Sequence, residues 1–154
     1  MQIREAKKED CGALDALLSK LIRDEVQYDP NLCESFTVEN NYARQLEQED
    51  RKAFVAEENG EIVGYVYGYV FDIPKMCRRP VAVLDALYVE EAFRNRGIAR
   101  LLLREFHRFA EAQHAGVIEL KVLSENAQAV RLYESMGFSE RKKYMTCLLP
   151  DTQT

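Results

Sequence analysis

The stretch VLDALYVEEAFRNRGIARLLL, from Val83 to Leu103, decides the fold of this chain. Its first part ends in an apolar run at residues 87–89 and is typical of a buried strand. Its last part enters a helix, and the first backbone amides of a helix have no internal partners. The stretch therefore predicts a strand–turn–helix unit whose helix start is open to a ligand.

Three cationic side chains lie at this predicted helix start. The helix dipole disfavours each of them there by on the order of a few tenths of a kcal/mol. The three cations are Arg94, Arg96 and Arg100. Gly97 and Ala99 carry almost no side chain, so a ligand can approach the backbone closely. These features favour a large anion, such as a pyrophosphate, bound by free amides. Alternatively, Glu90 and Glu91 pair with the arginines and the turn is only solvated.

A second informative stretch, SENAQAVRLYESMGF, spans residues 124–138. Asn126 and Tyr133 are seven residues apart, so on a helix they face the same way, with Ala129 between them. This pattern fits a narrow ligand channel with a hydroxyl at its far end. Asn126 alternatively serves as a helix N-cap, and Tyr133 alternatively packs half-buried against its neighbours.

The remaining patterns give the order β-α-α-β-β-β-α-β-α-β, which is an α/β fold with a mixed sheet. Its front is antiparallel, and a β-α-β crossover lies behind. The predicted strands are 1–5, Lys52–Glu57, Ile62–Val70, Val81–Val89, Val117–Leu123 and Tyr144–Leu149. The predicted helices begin at Glu9, Val38, Gly97 and Ala127 and end near Ile22, Glu49, His114 and Met136.

The composition is that of one globular domain covering residues 1–154, with 47% hydrophobic and 31% charged side chains. The net charge of -5 gives no general attraction to nucleic acid, which is bound by neutralising phosphates. No apolar stretch approaches the ~18 residues of a membrane span. The N-terminus lacks the apolar core of a signal peptide.

The cysteines and histidines show neither metal-site nor disulfide spacing. They are Cys11, Cys33, Cys77, Cys147, His107 and His114. We therefore expect a reducing, cytoplasmic protein with no metal, no nucleic-acid partner and no membrane contact.

The pairing of RNRGIA with NAQAVRLYESMGF, after the strand LDALYV, resembles the GCN5-related N-acetyltransferases. The resemblance implies a GNAT-like fold, a central twisted mixed sheet flanked by helices, and acetyl-CoA as donor. It implies that the strand binds the pantetheine arm, that the loop amides bind the pyrophosphate, and that the helix asparagine contacts the cofactor. The residues implied are Leu87, Tyr88, Val89, Arg94, Asn95, Arg96, Gly97, Ile98, Ala99, Arg100 and Asn126.

The resemblance also implies direct transfer to an amine, without a covalent enzyme intermediate. Tyr133 matches the general acid that protonates the departing sulfur, and the amide of Val89 is placed to stabilise the oxyanion. Asp85, a carboxylate within an apolar strand, is our candidate base. Asp85 alternatively points outward, and a water relay alternatively takes the proton.

The acceptor is a small-molecule or peptide amine that the sequence leaves open. The loop after residue 23 carries acidic residues that suit a cationic amine such as a polyamine: Asp24, Glu25, Asp29 and Glu34. The loop from Phe71 to Pro80 argues the other way with Lys75, Arg78 and Arg79. Two other classes remain open, a non-catalytic acyl-CoA-binding module and a phosphate- or nucleic-acid-binding domain, and the charge disfavours the latter. By fold analogy, edge strands near residues 144–149 predict a homodimer.

Overall fold

Five strands form one sheet in the order β1-β2-β3-β4-β5 in the computed structural model, which describes residues 1–151. Neighbouring strands from β1 to β4 are antiparallel, and β4 and β5 are parallel. The predicted antiparallel front and β-α-β crossover are therefore confirmed. The strands are β1 (Gln2–Glu5), β2 (Arg51–Glu58), β3 (Glu61–Phe71), β4 (Val81–Val89) and β5 (Val117–Glu119). The helices are α1 (Cys11–Glu25), α2 (Asn41–Gln45), α3 (Ile98–Ala112) and α4 (Ala127–Ser135).

Helices cover both faces of the sheet, and each face has its own hydrophobic cluster. Helices α1 and α2 pack on one face, where Leu14 and Tyr42 lie against Tyr65, Tyr67 and Tyr88. Helix α3 packs on the other face through the apolar stripe that its spacing predicts. That stripe is confirmed as core, since its members are all buried: Leu102, Leu103, Phe106 and Phe109. No helix among residues 1–151 combines the length and the apolar character needed to cross a bilayer.

The closing strand predicted at Tyr144–Leu149 is wrong, because this segment makes no strand pairing in the structure. The segment runs beside β5 and is held there by side chains only. Lys142 Nζ lies 3.1 Å from Glu119 Oε1, and the Lys121 ammonium lies 4.7 Å from the centre of the Tyr144 ring. The segment is mostly apolar, but the backbone hydrogen bonds that define a strand are not formed within it.

Two other predicted elements are shorter than expected. The helix predicted from Val38 begins only at Asn41, because Asn40 adopts a left-handed conformation with φ 54°. The Asp15 carboxylate of α1 accepts the amides of Asn41 and Tyr42, at 3.3 and 3.1 Å, and so fixes that start. The strand predicted from Val117 to Leu123 ends at Glu119, where its pairing with β4 ends.

Strand β4 has a neighbour on one side only over most of its length. Its pairing with β5 stops at Val83–Glu119, so the two strands separate beyond that point. On the other side, β4 pairs with β3 throughout, with one irregularity. Tyr67 pairs with Ala86 and Gly68 with Leu84, which leaves Asp85 as the extra residue of a β-bulge. The separation and the bulge together open a cleft in the sheet.

We predict that Gly68→Ala destabilises the fold by about 1–3 kcal/mol or more, because this glycine lets helix α3 approach the sheet. An added Cβ would lie 2.2 Å from the Val83 carbonyl oxygen and 2.4 Å from the Phe106 ring. Urea unfolding of the variant measures the loss.

The control for this prediction is Gly12→Ala in helix α1, where an added Cβ meets nothing within 4 Å. Alanine there should leave the protein as stable or more stable by about 0.5–1 kcal/mol. Equal stabilities for the two variants would contradict the close-approach role of Gly68.

Candidate active site

The turn that leads into helix α3 presents free backbone amides to solvent. Asn95 and Gly97 have positive φ angles of 64° and 78°, which turn the chain sharply before the helix. The Leu101 amide makes a helical bond of 3.2 Å to the Gly97 carbonyl, so the three preceding amides have no acceptor within the helix. A Cβ placed on Gly97 would meet nothing within 4 Å. This open row of amides fits an anionic phosphate group.

The arginines around this turn are held by protein groups. Arg94 donates from Nε to the Val89 carbonyl at 2.8 Å and forms an ion pair of 3.1 Å with Asp24. Its guanidinium also lies 5.2 Å from the centre of the Tyr88 ring. The alternative pairing of the arginines with Glu90 and Glu91 is not observed among residues 1–151. Glu90 pairs with Lys20 of α1, and Arg96 pairs with Glu58 at 3.8 Å. The Arg94 side chain therefore joins β4 to α1.

The outer edge of β4 beyond Val83 offers unpaired backbone groups. The Glu90 amide donates to the Val63 carbonyl of β3 at 2.8 Å, so it points toward β3. Because successive amides of a strand point to opposite sides, the amides of Val89 and Leu87 point toward the opening and that of Tyr88 toward β3. An extended ligand with amide groups could therefore add to Leu87 and Val89 as an extra strand.

Tyr133 of helix α4 is half-buried and packs against the hydrophobic cluster that contains Val89. Gly137, with φ 96°, ends the helix and turns the chain so that the Phe138 ring lies 5.8 Å from the Tyr133 ring. Burial, with a smaller effect of the Glu25 charge, raises the pKa of Tyr133 to about 12. Its hydroxyl therefore stays protonated at physiological pH. Asn126 caps the same helix by accepting the Ala129 amide at 3.2 Å, so the predicted N-cap is confirmed.

Asp85 occupies the bulge of β4, where its carboxylate faces the tyrosines on the α1 side of the sheet. The side chain is exposed, yet surrounding protein atoms displace enough water to raise its pKa, while Arg51 and Lys121 act in the opposite direction. The Asp85 charge in turn raises the pKa of Tyr65 and Tyr67. The exposure of Asp85 matches the outward-pointing alternative, while its raised pKa indicates that nearby protein atoms reduce its solvation.

Comparison with known proteins identifies the family of this chain. Residues 16–138 match the model of the acetyltransferase (GNAT) family. The chain belongs to this family. It is 31% identical over 97 residues to MJ1207 of Methanocaldococcus jannaschii, an uncharacterized N-acetyltransferase. It is also 35% identical over 94 residues to the N-alpha-acetyltransferase RimI of Mycobacterium tuberculosis. The matches cover 63% and 58% of this chain but only 43% and 54% of those relatives, so the chain spans about half their length.

Solved structures confirm the GNAT fold over nearly the whole chain. A tetramutant of the BH1408 protein from Bacillus halodurans superposes with a TM-score of 0.85 at 26% identity, covering 97% of this chain and 100% of that one. The aminoglycoside N-acetyltransferase AAC(6')-Iy, solved with CoA, shares the fold with a TM-score of 0.72 at 19% identity. It covers 97% of this chain and all of that chain.

The two predicted catalytic residues do not act on each other directly in this GNAT domain. The charged group that raises the pKa of Tyr133 is Glu25, the last residue of α1, and Asp85 acts on other tyrosines. Sequence reasoning placed Glu25 in a general acidic loop and missed its position at the end of a helix. The apolar spacing that predicts α1 ends at Ile22, whereas the helix continues for almost one more turn, to Glu25.

The loop from Phe71 to Pro80 is anchored away from the anion-binding turn. The carbonyl of its last residue, Pro80, accepts the Gly116 amide at 2.8 Å. This contact lies at the start of β4, where β4 pairs with β5. The basic residues of this loop, Lys75, Arg78 and Arg79, are exposed or half-exposed there. The structure therefore gives no contact that ties this loop to Tyr133 or to the start of α3.

Proposed function

We propose that the protein is an acetyl-CoA-dependent N-acetyltransferase that transfers an acetyl group to an amine of a small molecule or peptide. The amine attacks directly while both substrates are bound. The observation that carries this proposal is that two groups of unpaired backbone amides lie close together along the chain. The free amides at the start of α3 and the unpaired edge of β4 are joined by one short turn, and Tyr133 packs against the same hydrophobic cluster as Leu87.

The residues that would hold the donor follow from this arrangement. The amides of residues 95–100 would bind the pyrophosphate, with Gly97 giving close access, and Leu87 and Val89 would pair with the pantetheine amides. Arg96 and Arg100 stand at the same turn and add positive charge, whereas Arg94 supports the site by fixing Val89. Tyr88 contributes mainly through its ring under Arg94, and Asn126 through the N-terminus of α4.

The chemistry that this chain would supply is proton transfer and charge stabilisation. Acetyl-CoA brings the activated acetyl group, and the amine must lose a proton before it attacks. Asp85, with its raised pKa, is the proposed base, directly or through water. The Val89 amide would donate to the developing oxyanion, and Tyr133 would donate its proton to the departing sulfur.

The donor site is tested by Gly97→Glu. The added carboxylate would occupy the open space before the amides and repel phosphate, and the positive φ adds strain. We expect isothermal titration to show acetyl-CoA binding to the native protein and none to the variant.

Gly97→Ala is the matched control, because it adds the same backbone strain with no charge and little bulk. It should retain binding. Absence of binding to the native protein would overturn the whole proposal. Loss of binding in both variants would instead attribute the effect to distortion of the turn.

The chemical roles are tested by Tyr133→Phe and Asp85→Asn. Removal of a general acid or base lowers kcat by about 10²–10⁴-fold, so each variant should lose activity while the Kd of acetyl-CoA stays constant. In the native enzyme, kcat should fall as pH drops through the raised pKa of Asp85, because the base must be ionised.

The pH profile separates Asp85 from a water relay. In Asp85→Asn, the acidic descent of kcat should disappear if this carboxylate is the base. An unchanged profile would assign the base role to another group. Acetyl-CoA binding without thiol release, with any amine tried, would show a non-catalytic acyl-CoA-binding module.

We also propose a homodimer formed through β5 and the segment that follows α4. Strand β5 lies at the edge of the sheet, and four large apolar side chains of the segment are exposed: Tyr144, Met145, Leu148 and Leu149. Sedimentation equilibrium should show a dimer that Leu148→Asp weakens, and a native monomer would contradict it.

A cytoplasmic location is also proposed, since all four cysteines are free thiols in the structure.

A further inference from the structure

The side chain of Arg51, the first residue of β2, lies on the α1 face of the sheet and reaches across to β3. Its Nη1 donates to the Tyr67 hydroxyl at 2.7 Å, and its guanidinium lies 4.9 Å from the centre of the Tyr69 ring. The Tyr67 hydroxyl in turn donates to Gln45 Oε1 of α2 at 3.3 Å, so the group that receives Arg51 is itself held in place. The guanidinium therefore has a fixed orientation, with its charge above β3.

The Arg51 guanidinium has no acidic partner within residues 1–151. No carboxylate oxygen there lies within 4.0 Å of it, although Glu47, Glu49 and Asp50 are close in sequence. Within the same residues, Nε is buried without a hydrogen-bond partner, and Nη2 has no partner either. Nε and Nη2 form one edge of the planar group, and such an edge can bind both oxygens of a carboxylate. A buried N–H without an acceptor is unfavourable, and a bound carboxylate would satisfy it.

The register of the sheet brings this cation close to Asp85, the candidate base. Arg51 pairs with Tyr69, and Tyr69 pairs with Val83, two residues before Asp85. Neighbouring strands are about 4.7–4.9 Å apart, and the guanidinium already lies over β3, so about one strand spacing separates it from β4. Reduced solvation raises the pKa of Asp85, and the nearby Arg51 charge acts against this effect. Asp85 is exposed and, like Arg51, has no ion-pair partner among the described residues 1–151.

We infer that the acceptor is an amino acid, whose carboxylate binds the free edge of Arg51 while its amine lies at Asp85. This inference rests on the proposed function and names its acceptor class. Arg51 and Asp85 offer opposite charges to one molecule, and an amino acid carries both an ammonium and a carboxylate group. The nitrogen forms a bond to the acetyl carbon as the bond from that carbon to sulfur breaks. The ammonium and acetyl-CoA thus give the N-acetyl amino acid, coenzyme A thiol and one proton.

The test compares amino acids with their carboxamides, which keep the amine and the chain length but lose the negative charge. Three pairs cover different distances between the amine and the carboxylate: L-leucine and L-leucinamide, β-alanine and β-alaninamide, and 4-aminobutanoate and 4-aminobutanamide. Because a carboxylate changes the pKa of a nearby amine, kcat/KM is expressed per neutral amine. In the pair that the native enzyme uses best, the acid should be preferred by roughly ten- to hundredfold, as expected for a charge-assisted hydrogen bond.

Arg51→Gln should reduce this preference to about one, because the charge and the bidentate edge are both removed. Loss of the charge also changes the pKa of Asp85, but this effect is common to both members of a pair and cancels in their ratio. Arg51→Lys keeps the charge without the planar edge and should keep only part of the preference. An unchanged Kd of acetyl-CoA in calorimetric titration shows that each variant is folded.

Arg44→Gln is the matched control. Arg44 is an exposed arginine of α2 whose Nε donates to the Asn40 carbonyl, so the variant removes the same charge from a neighbouring position. It should keep the native preference for the acid. An equal loss of preference in Arg44→Gln and Arg51→Gln would attribute the effect to overall charge and overturn the role of Arg51.

Three further outcomes overturn the inference and leave the proposed function intact. They are equal use of acid and carboxamide in every pair by the native enzyme, an unchanged preference in Arg51→Gln, and acetylation of other amines but of none of the amino acids. No acetylation of any amine by the native enzyme would overturn the proposed function and this inference with it.

Discussion

The early end of the pairing between β4 and β5 is the constraint on which the rest of the structure depends. A central strand normally satisfies its backbone groups on both sides, but β4 beyond Val83 has β3 alone. One of the exposed groups, the Val89 carbonyl, is satisfied by the Arg94 side chain. The amides of Leu87 and Val89 stay available, and a bound ligand can satisfy them at no expense to the fold. The unpaired edge of β4 is therefore a surface to which an extended ligand could add as a strand.

The opening also explains why the titrating groups of the cleft come from both layers of the molecule. Asp85 and Tyr65 belong to the side covered by α1, and Tyr133 belongs to the side covered by α3 and α4. Burial raises the pKa of Tyr65 and Tyr133, and nearby protein atoms raise the pKa of Asp85 although its side chain is exposed. In a continuous sheet these groups would be separated by backbone.

The sequence predicted the elements whose signal is local and left out those set by distant partners. Strand β4 was placed residue for residue, and the apolar stripe of α3 was identified, because each depends on periodicity alone. Helix α2 was overestimated, because its start depends on Asp15 of a different helix. The strand at Tyr144–Leu149 was wrong, because an apolar segment does not show whether a partner edge is present. Among the site residues, Arg94 and Glu25 took positions that only the packing of α1 on β4 determines.

The Arg94 guanidinium links the donor side of the cleft to the acceptor side. It holds the carbonyl of the strand that would carry pantetheine, and it holds Asp24 at the end of α1. Substitutions on α1 that are meant to change the acceptor preference can therefore also change the binding of the donor. A substitution at Asp24 would release Arg94 from α1 and alter the backbone at Val89, so acceptor and donor affinities would change together. Substitutions on α1 that leave the Asp24–Arg94 pair intact would avoid this coupling.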